Sequence, residues 1–384
     1  MSTKMPQKHS LTTAAALAVV VCVCCVWRTT PSAQTTHPSD LQFIRSVRIG
    51  VLSLFHPKEL LLCAADGSSL AIELNGQNRV VRSDAGAIAI RAADSAIEVQ
   101  FPLDSAPISG TSLRIHSDSA SFWLEVPGKL RRQYSGTLEI RARGQILEAI
   151  VGMPLEVAVA SVVQAESPPG AGMEALKAQA VAARSFFVAK QSSHRDFDFC
   201  DTTHCQFLRS PPAFKSPAAE ATRATTGLIL TWRDADRELD RPLAAMYARS
   251  CGGRTRTLRE IGVKSSGYPY YAVGCSYCRR HPEIWQRPIV PDAESDPQTE
   301  RDRLAFNRIH GWGAIPSLTL AESGSTDSAH DRRPGGLAGR GIGHGIGMCQ
   351  LGAADMARRG FGFAQILAHY YPNTRLETVS KSTP

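Results

Sequence analysis

The sequence has no arginine-rich run and no interleaving of basic with aromatic residues. Despite a formal net charge of +8, no nucleic-acid partner is expected. That charge suits an acidic polymer or a membrane surface without selecting between them. There is no phosphate loop either. Gly341-Ile-Gly-His-Gly-Ile-Gly347 is rich in glycine but lacks the spacing and the closing Lys-Ser/Thr of a nucleotide cradle. Nor is the chain poor in hydrophobic residues: 43% are hydrophobic and 20% charged, which excludes a long disordered protein. Its 384 residues are enough for two domains and a sizeable core. An even set of cysteines is missing as well. Cys22, Cys24 and Cys25 fall in an N-terminal apolar run, leaving Cys63, Cys200, Cys205, Cys251, Cys275, Cys278 and Cys349. Seven clustered cysteines do not make a complete disulfide framework; metal binding or one local disulfide fits better.

The N-terminal run from Ser10 to Trp27 is uncharged and flanked by Lys4, Lys8 and Arg28. It reads as an export signal or signal anchor, short for a spanning helix. Ser32-Ala33 is a weak cleavage candidate, and bulky Val21 before Cys22 argues against lipidation. The expectation is an exported protein of the periplasm or cell envelope, with residues 1–33 as signal or membrane anchor and 34–40 as linker. From 41 to 133 the runs are short and alternating, as in Val47, Ile49 and Val51, Leu60–Ala64 and Phe122–Val126, with turns at Asp66-Gly67 and Pro127-Gly128. This region reads as β-rich and carries no visible chemistry.

The chain is organised around residues 153–190, which read as helix, break, helix. Leu155 to Ala165 is apolar on more than one face, as in a largely buried helix. Pro168-Pro169-Gly170 ends it, because proline lacks the amide hydrogen and clashes with the preceding turn. Glu166 sits at that end, opposing the helix dipole among apolar neighbours. Both influences disfavour its charged form and predict a raised pKa, as a general acid requires. Lys177 and Arg184 lie seven residues apart on the second helix, Glu174 to about Lys190, and so share a face. The plainer reading of all three is solvated surface charge.

Further on, His194, Cys200 and Cys205 offer one imidazole and two thiols suited to zinc, with His204 as a spare ligand. Because His204 and Cys205 are adjacent, both reach one ion only from a bent backbone, so the first three are favoured. A Cys200–Cys205 loop disulfide is the alternative. Cys275-x2-Cys278-x2-His281, with Cys251, is a weaker second zinc candidate. From Pro282 to about Gly341 the chain is poorly periodic and reads as a surface excursion or flap.

Four ordered motifs resemble the stage II sporulation protein D family, which includes the amidase enhancer LytB. They are Glu166-Ser-Pro-Pro169 with Glu174-Ala-Leu-Lys-Ala-Gln-Ala-Val-Ala-Ala-Arg-Ser185; Asp201-Thr-Thr-His-Cys-Gln206; Tyr247-Ala-Arg-Ser-Cys-Gly-Gly-Arg-Thr255; and Gly343-His-Gly-Ile-Gly-Met-Cys-Gln-Leu-Gly-Ala353 with Ile366-Leu-Ala-His-Tyr-Tyr-Pro-Asn-Thr374. The resemblance spans about Tyr134 to Leu376. It implies an α+β protein with a family-type domain over 134–376 and a disordered tail over 377–384. The implied activity is lytic cleavage of peptidoglycan glycan strands, preferably stripped of peptide stems, giving 1,6-anhydro ends at N-acetylmuramic acid. Glu166 would be the acid/base, Lys177, Arg184, Tyr247, Ser250 and His344 would contact substrate, and zinc would sit on His194, Cys200 and Cys205. One departure is Glu-Ser-Pro where family members commonly have Glu-Met-Pro; methionine there packs rather than reacts.

Three other readings compete: a non-catalytic wall module enhancing a cell-wall amidase, a zinc hydrolase acting on an amide, and a Cys349 nucleophile paired with His344.

Overall fold

The computed structural model describes residues 45–190, 194–234, 238–261, 267–288 and 336–379. The expected export segment and linker, most of the expected 282–341 excursion and residues 380–384 lie outside the described residues. Among the described residues no helix is long and apolar enough to cross a membrane.

Two β-sheets form the N-terminal half. The seven-stranded sheet runs, in spatial order, Phe199–Cys200, Ser46–Val51, Ile146–Pro154, Thr137–Arg143, Ser112–Ile115, Ser69–Leu74 and Gln77–Arg82. The six-stranded sheet runs Leu130–Ser135, Ser121–Val126, Glu59–Ala64, Ile88–Ala93, Ala96–Gln100 and Ile108–Gly110. Their alternating side chains explain the pairing. Leu60, Leu62, Ile90 and Leu124 of one sheet join Ile72, Leu113 and Ile140 of the other in a single fully buried core. The strands Thr137–Arg143 and Ile146–Pro154 complete the same sheet as Ser46–Val51. The sheets therefore run through the boundary expected at 133/134. Gln77–Arg82, too polar to read as a strand, is an edge strand with mostly exposed side chains.

The strand Ile146–Pro154 feeds directly into helix α1 (Leu155–Glu166), and Gly170, at φ 72°, turns the chain into α2 (Met173–Ala189). Helix α2 divides the protein. Leu176, Ala180, Ala183 and Phe187 pack into the sheet core, while Ala175, Ala178, Val181 and Ala182 pack into a second core. Its alanines let both sides approach closely, and few of its residues are exposed. The second core is built by α4 (Ser276–Arg280), α5 (Gln350–Arg358) and α6 (Phe363–Tyr370), with α3 (Pro217–Ala224) against α1 and α2. Thr374–Thr378 pairs antiparallel with Leu228–Trp232, so regular structure extends two residues into the expected tail. The excursion leaves and returns through an antiparallel ribbon, Ile284–Pro288 with Gly336–Arg340.

The architecture is α+β, as the alternating runs and the helix-break-helix stretch predict.

Candidate active site

Glu166 ends α1, and its carboxyl receives the Phe207 amide hydrogen at Oε1, 2.6 Å away. The Tyr247 hydroxyl also contacts the carboxyl and donates to the side-chain carbonyl of Gln206. Behind these groups, the Gln350 side-chain amide donates to the Glu166 carbonyl (3.0 Å) and to Gln179 Oε1 (3.3 Å). The last carbonyls of a helix lack intrahelical partners, and Gln350 supplies one here. Burial dominates the electrostatics and pushes the Glu166 carboxyl up to about 8, with the Phe207 amide and Tyr247 hydroxyl opposing it. At neutral pH the group therefore carries its proton.

The loop that brings Phe207 to Glu166 also gathers four metal-type ligands. Nitrogen or sulfur atoms of His194, Cys200, His204 and Cys205 all lie within 4.8 Å of one another. His194 Nε2 is 3.2 Å from Cys205 Sγ, and His204 Nδ1 is 3.6 Å from Cys200 Sγ and 3.4 Å from Cys205 Sγ. The bent backbone that adjacency demanded is present: the Cys205 amide donates to the Thr202 carbonyl (3.1 Å) and closes a turn. His204 thus joins the three favoured ligands. Two imidazoles and two thiols fit the tetrahedral preference of zinc. The loop is anchored by Phe199–Cys200 pairing parallel to Ser46–Val51, and by Asp201, which accepts from Arg132 and the Leu52 amide, each at 3.1 Å. A cleft of about 540 Å³ opens beside the cluster, lined in part by His56, Arg143, Glu148 and His194, but not by Glu166.

Other expected substrate contacts lie elsewhere. Arg184 is 1% exposed; its guanidinium forms a two-pronged pair with Glu156 (2.8 and 2.6 Å) and donates to the carbonyls of Leu228 and Thr222. It ties α2 to α1 and to the strand and helix beyond, so the expectation that it reads substrate is corrected. The face it shares with Lys177 is turned inward at that level because α2 is buried all round. Lys177 pairs with Glu174 at 2.7 Å, and Glu174 in turn accepts the Phe363 amide hydrogen. Ser250 is also corrected: it is fully buried, bridged to Ile342 through the backbone, with its hydroxyl 3.5 Å from Cys278 Sγ. His344 is half-buried and sits behind Tyr247. Its Nδ1 accepts the Ile346 amide hydrogen (3.0 Å), and its ring bonds the Tyr247 backbone. Burial holds it down to about 4, hence neutral. Its place beside Tyr247 is thus through the Tyr247 backbone.

The glycine-rich loop allows that contact. A side chain at Gly347 would meet the Met246 carbonyl oxygen at 2.0 Å, and Gly347 adopts φ 66°. This close approach lets Met348–Cys349 pair in parallel with Tyr247–Ala248. Cys349 lies 1% exposed among three other thiols, against the reading of it as a nucleophile for His344. His281 is exposed and outside that group, which corrects the Cys275-x2-Cys278-x2-His281 pattern.

A half-buried protonated carboxylate at a helix end, flanked by a thiol–imidazole loop, defines a candidate acid/base centre. Comparison with known proteins agrees on the lineage. Residues 143–232 match the family described as stage II sporulation protein, SpoIID. The chain is 24% identical over 275 residues to stage II sporulation protein D of Bacillus subtilis, covering 60% of this chain and 76% of that one. It is 28% identical over 261 residues to the protein of the same name from Bacillus amyloliquefaciens (58% and 74%). An uncharacterized protein of Brachyspira hyodysenteriae is 25% identical over 269 residues (62% and 71%). The chain is thus similar to SpoIID-family proteins over the segment that carries Glu166. The matched segment holds Glu166 and the His194–Cys205 loop but stops before Tyr247.

Sequence reasoning missed Gln179, Gln206, Gln350 and the Phe207 amide. The three glutamines fall within or beside the quoted motifs, which was the available signal. A backbone amide leaves none.

Proposed function

We propose that this protein is an exported lytic transglycosylase of the cell envelope, cleaving peptidoglycan glycan strands with Glu166 as its single acid/base. Similarity to the SpoIID family supports a cell-wall or sporulation-related role and peptidoglycan-related binding. The observation that carries the finer reading is the Glu166 carboxyl, raised to about 8 and aimed by the Phe207 amide and Tyr247.

The reaction follows from that proton. Glu166 gives it to the oxygen bridging N-acetylmuramic acid to the next sugar, and the bond from C1 to that oxygen breaks. The carboxylate then takes the proton from the same sugar's C6 hydroxyl as O6 closes onto C1. The product is a 1,6-anhydro end, Glu166 regains its proton, and no water is consumed. A two-carboxylate hydrolase instead needs a second acid to activate water or attack the sugar. Asp201, the nearby loop carboxylate, is engaged by Arg132 and the Leu52 amide. Tyr247 holds the Glu166 carboxyl, and His344 holds Tyr247.

His194, Cys200, His204 and Cys205 would hold zinc, which when bound supplies a closed cross-link of the loop rather than an open coordination position. Through Gln206 and Phe207 that loop positions the acid.

The test compares the chain with its Glu166→Gln variant on intact and peptide-stripped glycan strands, with products read by mass spectrometry. Anhydromuramic ends from the wild type alone are expected. Their absence from the wild type, with amidase stimulation unchanged in the variant, would replace this reading with the accessory wall-binding one.

A further inference from the structure

A second group of ligands lies on the far side of α2, outside the segment that the family match covers. Cys251 follows the backbone bridge between Ser250 and Ile342, Cys275 and Cys278 open and occupy α4, and Cys349 precedes α5. The four sulfurs lie within 4.8 Å of one another, with Cys278 and Cys349 at 3.4 Å. All four residues are buried, between 0 and 7% exposed. A tetrahedral shell with bonds of ~2.3 Å places its sulfurs ~3.8 Å apart. The observed spacing brackets that value.

We infer that Cys251, Cys275, Cys278 and Cys349 bind a single zinc ion, a structural centre distinct from the His194–Cys205 loop.

The surroundings suit thiolates rather than thiols. The Gly352 amide hydrogen points at Cys349 Sγ (3.4 Å), the Tyr370 hydroxyl at Cys275 Sγ (3.6 Å), and the Ser250 hydroxyl lies 3.5 Å from Cys278 Sγ. Donors around the sulfurs are what orient and tune metal ligands. The guanidinium of Arg256, with Nη1 buried and unpartnered among the described residues, lies in electrostatic reach of Cys251. Four thiolates around one divalent ion leave a net negative charge that offsets this buried cation. An iron–sulfur cluster would distribute its cysteines over separate irons, whereas these sulfurs converge on one point. They also do not separate into two isolated pairs, as two disulfides would require.

The consequence is a staple. Cys278 and Cys349 are 71 residues apart, and between them runs the whole excursion that begins and ends in the Ile284–Pro288/Gly336–Arg340 ribbon. The ion closes that loop beside the parallel pair Tyr247–Ala248/Met348–Cys349 and one residue before Gln350. It thereby anchors the two side chains, Tyr247 and Gln350, that reach Glu166 from the C-terminal half.

Full-length protein purified without chelator would be analysed for bound metals by mass spectrometry, alongside a His194→Ala/Cys205→Ser variant and a Cys251→Ser/Cys349→Ser variant. Two zinc ions per wild-type chain are expected, falling to one in each variant. Cobalt replacing the ion left in the His194→Ala/Cys205→Ser variant should show the strong sulfur-to-metal absorption of an all-thiolate tetrahedral shell. One zinc in the wild type and none in that variant would overturn the proposal. So would iron at the site, or two disulfides among the four cysteines in non-reducing peptide maps. If the Cys251→Ser/Cys349→Ser variant does not fold, the wild-type stoichiometry and the cobalt spectrum still decide.

Discussion

The two ligand clusters of this protein both connect to Glu166 but are built over very different lengths of chain. In the loop beside Glu166, His194 and Cys205 meet across 11 residues. In the C-terminal core, Cys278 and Cys349 meet across 71. The near cluster shapes a short loop that carries Gln206 and the Phe207 amide directly to the carboxyl. The far cluster holds down whole segments and touches the acid only through Tyr247 and Gln350. The near cluster should therefore govern activity and the far one stability.

The largest expected effect is at the acid to which both connect. Glu166→Gln should reduce anhydromuramic end formation by about 10²–10⁴-fold, the range for loss of a general acid. Both metals should be retained, because the amide fills the same space; metal analysis of the inactive variant checks this.

Arg184→Lys comes next. It removes one prong of the Glu156 pair and the carbonyl contacts, and breaking a buried pair costs about 3–5 kcal/mol, less here because Glu156 is partly exposed. A lowered Tm with KM unchanged is expected. A raised KM at unchanged Tm would return Arg184 to the substrate.

Closure of the longer loop removes about 1.5 kcal/mol more unfolded-chain entropy than closure of the shorter one, by the logarithmic dependence on loop length. Cys349→Ser should therefore lower the midpoint of urea unfolding more than Cys205→Ser, whereas Cys205→Ser should lose more activity per unit of stability lost. The reverse ranking would break the comparison.

The smallest effects concern protons. With the Glu166 carboxyl raised to about 8, the acid form is present below that pH, so cleavage should fall as pH rises through about 8. Stability carries the same sign. A carboxyl whose folded pKa exceeds its unfolded value favours folding fully below about 4.5 and progressively loses that contribution as pH rises through about 8. Glu166→Gln, which cannot ionise, should gain thermal stability relative to the wild type between pH 6 and pH 9. Tyr247→Phe should cost about 1 kcal/mol, the worth of one hydrogen bond, seen as a several-fold lower rate and a shifted alkaline limb.

The near cluster was legible in the chain order because its ligands and its turn lie within a dozen residues. Even there, His204 was set aside on adjacency, and only the Thr202–Cys205 turn brings it in. The pairing of Lys177 with Arg184 on one face was sound helical geometry, but the environment of that face depends on what covers α2. The second cluster was half legible. Cys275-x2-Cys278 marked a knuckle, yet His281 was the nearest ligand in sequence and Cys349 the real neighbour.

The helix ending at Glu166, the proline break, the alternation of the β-rich half and the clustering of His and Cys in the first loop are all local features of the chain. These follow from backbone geometry and the periodicity of neighbouring residues, which act over a few positions. Packing between distant elements makes Arg184 an internal tie, buries Ser250, sets His344 against the Tyr247 backbone and brings Cys349 to Cys251. Those outcomes rest on the parallel pairing of Tyr247–Ala248 with Met348–Cys349 and on α2 being covered on both sides. Contacts across a hundred residues are set by how whole elements pack, and no local pattern records them.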